Sequence, residues 1–252
     1  MRRFHFIELG DLPGCPRILR NGMTDYLETV VRLANPYAKI VPKLASALEA
    51  CQTTQVLDLC SGSGGPWATL LPMLQYRKPA VLLTDFYPNT AGSTLPYHAE
   101  PVDATKVPEA LTGFRTLFAS FHHFRPEQAR AILADAVAKR QGIAVFEATA
   151  RTIPAVLGML FVPLAVWLIT PQIRPVRFSR LFFTYLIPVL PLAILFDGIV
   201  SCLRTYNPEE LRELVAGLDE SYTWEIGSEP VARSPIPITY LIGLPKEGTL
   251  AL

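Results

Sequence analysis

Gln55-Val-Leu-Asp-Leu-Cys-Ser-Gly-Ser-Gly-Gly-Pro-Trp67 is the stretch whose reading decides the fold. Its first five residues are an apolar run, rich in branched side chains, of the kind that forms a buried strand, and the glycine-rich turn 61–65 follows at once. Pro66 stands where the first turn of a helix begins. Strand, glycine turn and helix start together make a site for a nucleotide-like ligand, because glycines let the backbone come close and the exposed amides donate to it.

Working outward, residues 80–84 read as a second buried strand ending at Asp85. An acid there lies beside the glycine turn, where it accepts hydrogen bonds from ribose hydroxyls. A short strand is expected at 97–102, before Asp103-Ala104, and a fourth at 115–121, with His122-His123 opening the next turn. A helix over 126–140 carries Ala129, Ile132, Leu133, Ala136 and Val137 on one face, and residues 142–146 supply a fifth strand ending at Glu147. Strands alternating with helices predict a mainly parallel sheet with right-handed crossovers and ligands at the carboxyl ends of its strands.

Before this core, residues 24–50 show two helical patterns broken at Asn35-Pro36, expected to cover the ligand edge. After it, Asn207-Pro-Glu-Glu is a helix start, and residues 222–226 and 236–244 read as an antiparallel hairpin at the sheet edge. Between 147 and 207 the rhythm breaks. Residues 152–173 and 181–196 contain no charged side chain, and Arg174, Arg177 and Arg180 lie between the two runs. Prolines at 154, 163, 171, 188 and 191 interrupt both, so an apolar insertion that lies on a membrane or roofs an apolar pocket is favoured over a two-span hairpin. A dimer contact is the other use for such a surface.

Composition narrows the classes. With 252 residues, half of them hydrophobic, and a net charge of +1, the chain has no electrostatic case for nucleic acid. Cys15, Cys51, Cys60 and Cys202 form no C-x-x-C pair, so neither a metal site nor a disulfide framework is expected, and a reduced, cytoplasmic setting fits, peripheral to the inner face of a membrane if the insertion lies on one. Charged and turn residues at Glu8, Asp11 and Pro13 break the N-terminus before a signal-peptide core can form.

In element order, the chain resembles a class I S-adenosylmethionine-dependent methyltransferase over about 55–149 and 207–245. The resemblance implies an α/β, Rossmann-like, doubly wound, seven-stranded and mostly parallel sheet with one reversed edge strand, here carrying an apolar, mainly helical insertion. It implies S-adenosylmethionine as cofactor. The family's acidic residue and glycine-rich turn fall on Asp58, Cys60, Gly62 and Gly64, with Cys60 where the first glycine usually stands, so that its side chain must turn away from the ligand. Asp58 would orient the methionine end, Asp85 with Phe86 would face the ribose, and Asp103 with Ala104 would hold the adenine amino group. Phe121 and His122 fall at the strand end that faces the transferring methyl.

A dinucleotide fingerprint fails because its third glycine is Trp67, and no phosphate-binding G-x-x-x-x-G-K-[ST] occurs. His122, then His123 and Glu147, are the candidate bases, since imidazole titrates near neutrality. Asp197, Arg204 and Tyr206 are the candidate substrate contacts. The expected activity is methyl transfer to a hydrophobic small molecule such as a lipid, quinone, isoprenoid or polyketide-like acceptor, the alternative being a membrane-associated binding protein that keeps the cofactor fold without catalysis. The expected organisation is a helical cover (1–50), a cofactor-binding core (51–149), the insertion with its lid, dimer or membrane contact through 152–200 (150–205), and a C-terminal completion of the core (206–252).

Overall fold

The computed structural model describes residues 1–75, 78–88, 93–231, 234 and 236–246. Helix α1 (Arg17–Ala34) starts earlier than expected, its first turn hung from the Pro16 carbonyl, and ends at Asn35 in the left-handed conformation. Helix α2 (Val41–Ala50) follows a tight turn and leads into β1 (Gln55–Asp58). Past the glycine turn, α3 (Trp67–Leu70) is short: Pro72 brings no amide hydrogen and the chain tightens into a 3-10 turn over Leu71–Leu74. The sequence pattern carries this helix from Gly65 to about Tyr76, and that end lies outside the described residues.

Strands β2 (Ala80–Leu83) and β3 (Phe114–Phe118), helix α4 (Pro126–Ala138) and strand β4 (Ile143–Glu147) continue the alternation. Helices α5 (Ile153–Met159), α6 (Val162–Ile169), α7 (Phe178–Leu181) and α8 (Val189–Arg204) fill the apolar region, and α9 (Pro208–Val215), β5 (Tyr222–Glu229) and β6 (Ile238–Pro245) complete the chain. Asn207 caps α9 by accepting from the Glu210 amide, and the Glu210 side chain returns the bond, so that helix begins where its residues require.

Among the described residues the sheet has six strands, not the seven expected, in the order β2-β1-β3-β4-β6-β5. The strand expected at 97–102 reduces to a single bridge between Leu83 and Tyr97. That segment does run beside β2, with Leu83 donating to the Pro96 carbonyl, His98 to Leu83 and Val102 to Asp85. Pro96 and Pro101, however, have no N–H with which to extend a ladder. The expected reversed edge strand also needs correction: β6 runs antiparallel to both neighbours but lies inside the sheet, and β5, parallel to the rest, takes the edge.

One face of the sheet packs Tyr37, Ile40, Leu44 and Leu48 from the α2 region against Val56, Phe118, Phe146 and Tyr240. The other packs Ile132, Leu133 and Leu211 from α4 and α9 against Leu57, Leu117, Val145 and Leu241. Helix α1 touches the first face only near its end, through Val31. Its Met23 and Tyr26 pack with Val166 of α6 and Leu190, Ala193 and Ile194 of α8, so α1 and residues 150–205 form a helical layer of their own.

Candidate functional site

Asp58 ends β1 and is buried, its Oδ1 accepting from the Thr116 hydroxyl at 2.6 Å and its Oδ2 from the Ser61 hydroxyl at 2.6 Å. Burial pushes its carboxyl up to about 6 against the opposing pull of those two hydroxyls. With both oxygens taken, Asp58 props the turn from beneath. Gly62 and Gly64 adopt φ of +55° and +114°, which glycine reaches without steric cost. Cys60 adopts φ +56°, where a side chain costs about 1 kcal/mol or more. It packs on the apolar cluster of Leu57 and Leu59 and also lines the cleft beside the turn, rather than turning away from it.

Asp85 faces the turn directly, its Oδ2 accepting from the Gly62 amide at 2.9 Å and its Oδ1 from the Tyr87 amide at 2.9 Å. The cleft next to it has a volume of about 500 Å³, and Cys60, Phe86, Asp103, Ala104, Phe124 and Gln128 are among its lining residues. Asp103 is held by the Thr105 amide and hydroxyl at 2.8 and 2.7 Å. Four of the expected cofactor residues (Cys60, Phe86, Asp103 and Ala104) therefore line one cleft, and Asp85 is bonded to the Gly62 amide of the turn that also holds Gly64. Phe121 is buried instead, packed 5.6 Å from the Tyr206 ring.

A second constellation sits at the carboxyl ends of β3 and β4. The His122 amide donates to Glu147 Oε1 at 3.1 Å, and its Nδ1 lies 2.7 Å from Glu147 Oε2. Its Nε2 is 3.5 Å from Glu8 Oε1 and makes no hydrogen bond. Burial alone would lower this imidazole, but Glu147 and then Glu8 push it up to about 10, so His122 is charged at neutral pH. A ring in that state is a poor proton acceptor. His123, half-exposed, places Nδ1 2.9 Å from Asp11 and Nε2 3.7 Å from Glu8. Burial opposes ionisation of Asp11, yet His123 and Arg204 hold it well below the usual carboxylate range.

Arg204 ties the group together. Its Nε and Nη2 donate to the His122 and His123 carbonyls at 3.1 and 2.6 Å, and its Nη1 reaches Asp11 at 2.8 Å. Asp197 accepts from the Leu9 and Gly10 amides at 2.7 and 3.0 Å, pinning the N-terminal segment to α8. Tyr206 is buried under the Arg3 guanidinium and donates to the Phe124 carbonyl at 2.8 Å. Of the three expected substrate contacts, Arg204 reaches the histidine cluster, while Asp197 and Tyr206 are spent on framework. Glu8, Asp11 and Ser201, which donates to Glu8 at 2.9 Å, carry no signal in sequence beyond being polar.

No protein-family model matches the chain, and no curated protein matches it by sequence. Among solved structures, it is similar to an O-methyltransferase of neocarzinostatin biosynthesis, NcsB1, in complex with S-adenosylmethionine and 2-hydroxy-5-methyl naphthoic acid, at TM-score 0.52 and 15% identity over 91% of this chain. The same enzyme with S-adenosyl-L-homocysteine and 1,4-dihydroxy-2-naphthoic acid matches at TM-score 0.51 and 15% identity over 91% of this chain. The match covers 58% and 59% of the length of those two chains. At that identity the likeness is one of architecture: the chain has the fold of a class I S-adenosylmethionine-dependent methyltransferase.

Proposed function

We propose that the chain is an S-adenosylmethionine-dependent methyltransferase acting on a hydrophobic small molecule. The observation that carries the reading is the gathering of the Gly62–Gly64 turn, Asp85, Phe86, Asp103 and Ala104 about one cleft at the carboxyl ends of the strands. Such a set suits a ligand with a ribose and an adenine. Asp85 keeps acceptor capacity for ribose hydroxyls beyond its two amide bonds, and Asp103 beside Ala104 suits an adenine amino group. Asp58 acts through the turn it props. The cofactor, when bound, supplies an electrophilic methyl on a sulfonium. The acceptor end is then the β3–β4 terminus, where His122, His123 and Glu147 lie. His123 is the ring with access to an acceptor, and Glu147 holds the buried His122 ring beside it.

The acceptor class rests on the apolar residues 152–200. Among the described residues no single helix is long and apolar enough to cross a membrane; two bent pairs, Ile153–Met159 with Val162–Gln172 at 45° and Phe178–Leu186 with Val189–Arg204 at 80°, reach that length and composition only together. Phe161, Phe178 and Leu186 are 71%, 84% and 72% exposed, and no acid occurs between 152 and 196. A surface of this kind supports peripheral contact with lipid, its exposed Arg174 and Arg177 toward phosphates. The test is incubation with S-adenosylmethionine and extracts of lipids, quinones and aromatic hydroxy acids, followed by mass spectrometry. Gain of one methyl group by an apolar acceptor, with S-adenosylhomocysteine released in equal amount, is the expected result; no S-adenosylhomocysteine above the protein-free control contradicts it.

A further inference from the structure

We propose that Glu8, His122 and His123 form a binding site for one divalent transition-metal ion. A carboxylate oxygen of Glu8 and one nitrogen of each ring lie within 4.8 Å of one another. The Glu8 carboxylate spans the two rings, 3.5 Å from His122 Nε2 and 3.7 Å from His123 Nε2. Metal bonds of about 2.1 Å set tetrahedral neighbours roughly 3.4 Å apart, so the three groups would draw together by up to about 1.4 Å to share one ion.

The second observation is the His122 ring itself. It is buried, and its Nε2, with no hydrogen-bond partner, lies 3.5 Å from Glu8 Oε1. On the far side of each ring stands a carboxylate: Glu147 at 2.7 Å from His122 Nδ1 and Asp11 at 2.9 Å from His123 Nδ1. Metal-bound histidines almost always give their other ring N–H to such a group, which fixes the tautomer and leaves the Nε2 lone pair for the ion. Glu8 is oriented in turn by the Ser201 hydroxyl at 2.9 Å.

Two imidazoles and one carboxylate suit zinc, iron(II) and related ions rather than magnesium or calcium. The cluster is rich in acids: Glu8 and Asp11 pair with Arg204, and Glu147 with His122, so a divalent ion bound to two neutral rings meets a favourable charge. His123, with 31% of its side chain exposed, leaves one side of the site open, as in metal sites that keep a position for water or a ligand. The site stands whether or not methyl transfer is the reaction. The competing account of the same contacts is a closed network of ion pairs with protonated rings and no ion.

The full chain, without a histidine tag and dialysed against chelator, is titrated with zinc by calorimetry, and with cobalt(II) by visible absorption. One ion per chain is expected, with a cobalt spectrum of low coordination number. His123→Ala and Glu8→Gln should each weaken zinc at least tenfold, Glu147→Gln about 10- to 100-fold with all three ligands kept, and His98→Ala, outside the cluster, not at all. Half-exposed His123 is the position least tied to folding, and near-ultraviolet circular dichroism checks that each variant keeps its packing. No stoichiometric binding by the unsubstituted chain, or zinc affinity unchanged in His123→Ala, overturns the proposal in favour of the ion-pair network.

Discussion

At Asp58 the carboxylate is closed off from solvent and takes two hydroxyl hydrogen bonds, so its proton equilibrium is tied to folding. The folded value of about 6 lies above the ordinary 3.8, so the folded chain holds this proton more tightly than the unfolded one. The stability it contributes is complete below about pH 3.8 and is lost as pH rises through about 6, a change of roughly 3 kcal/mol. Urea unfolding of wild type and Asp58→Asn between about pH 4 and 7 should show the difference in stability between them sloping over that window; a difference independent of pH contradicts the assignment. The placing of Asp58 and Asp85 at turns was legible because each follows a short apolar strand, whereas the segment before Asp103 forms no ladder. Glu8 and Asp11 were not, since they lie in a stretch without periodicity, and their place is set by Asp197 and Ser201 of α8, far along the chain. His122 was legible as a chemical group but not as a charged one, because its charge depends on Glu147 and that buried Glu8.

Among the elements, the C-terminal hairpin shows how much of a strand pair a run of residues can specify. Alternation and turn chemistry mark two strands, and their antiparallel pairing follows from the short connection. Their order in the sheet does not, because insertion of β6 between β4 and β5 depends on which edge the hairpin meets. Trp224 stands opposite Gly243 in this pair, and its ring lies where a Cβ on Gly243 would be, 2.2 Å from the nearest ring atom. Gly243→Ala must therefore move the indole off the sheet. A loss of about 1–3 kcal/mol in urea unfolding is expected; unchanged stability would mean that the ring does not cover the glycine. The missing strand beside β2 has the opposite lesson: an extended, apolar-looking segment forms no ladder when prolines remove its donors.

Over the whole molecule, charge and apolar surface are unevenly shared. The sheet and its helices bury their apolar faces, whereas the layer of α1 with α5–α8 leaves large side chains outward. The uncharged runs marked this region in sequence, but its joining with α1 rests on long-range packing of Met23 and Tyr26 that no local pattern announces. If that face meets lipid, the chain should float with vesicles containing anionic lipid. Removing two exposed anchors in Phe161→Ser/Phe178→Ser should reduce partition at least tenfold, each aromatic contributing about 1.5–3 kcal/mol on burial. Equal flotation of the variant would rule this face out. The central claim, that the cleft beside Gly62 and Asp85 holds S-adenosylmethionine, is tested most directly by calorimetric titration of the full chain and of Asp85→Ala with that compound. The account predicts saturable binding of one molecule per chain, weakened at least tenfold in Asp85→Ala by loss of hydrogen bonds to a charged acceptor; no binding by the unsubstituted chain, or equal affinity in the variant, would contradict it.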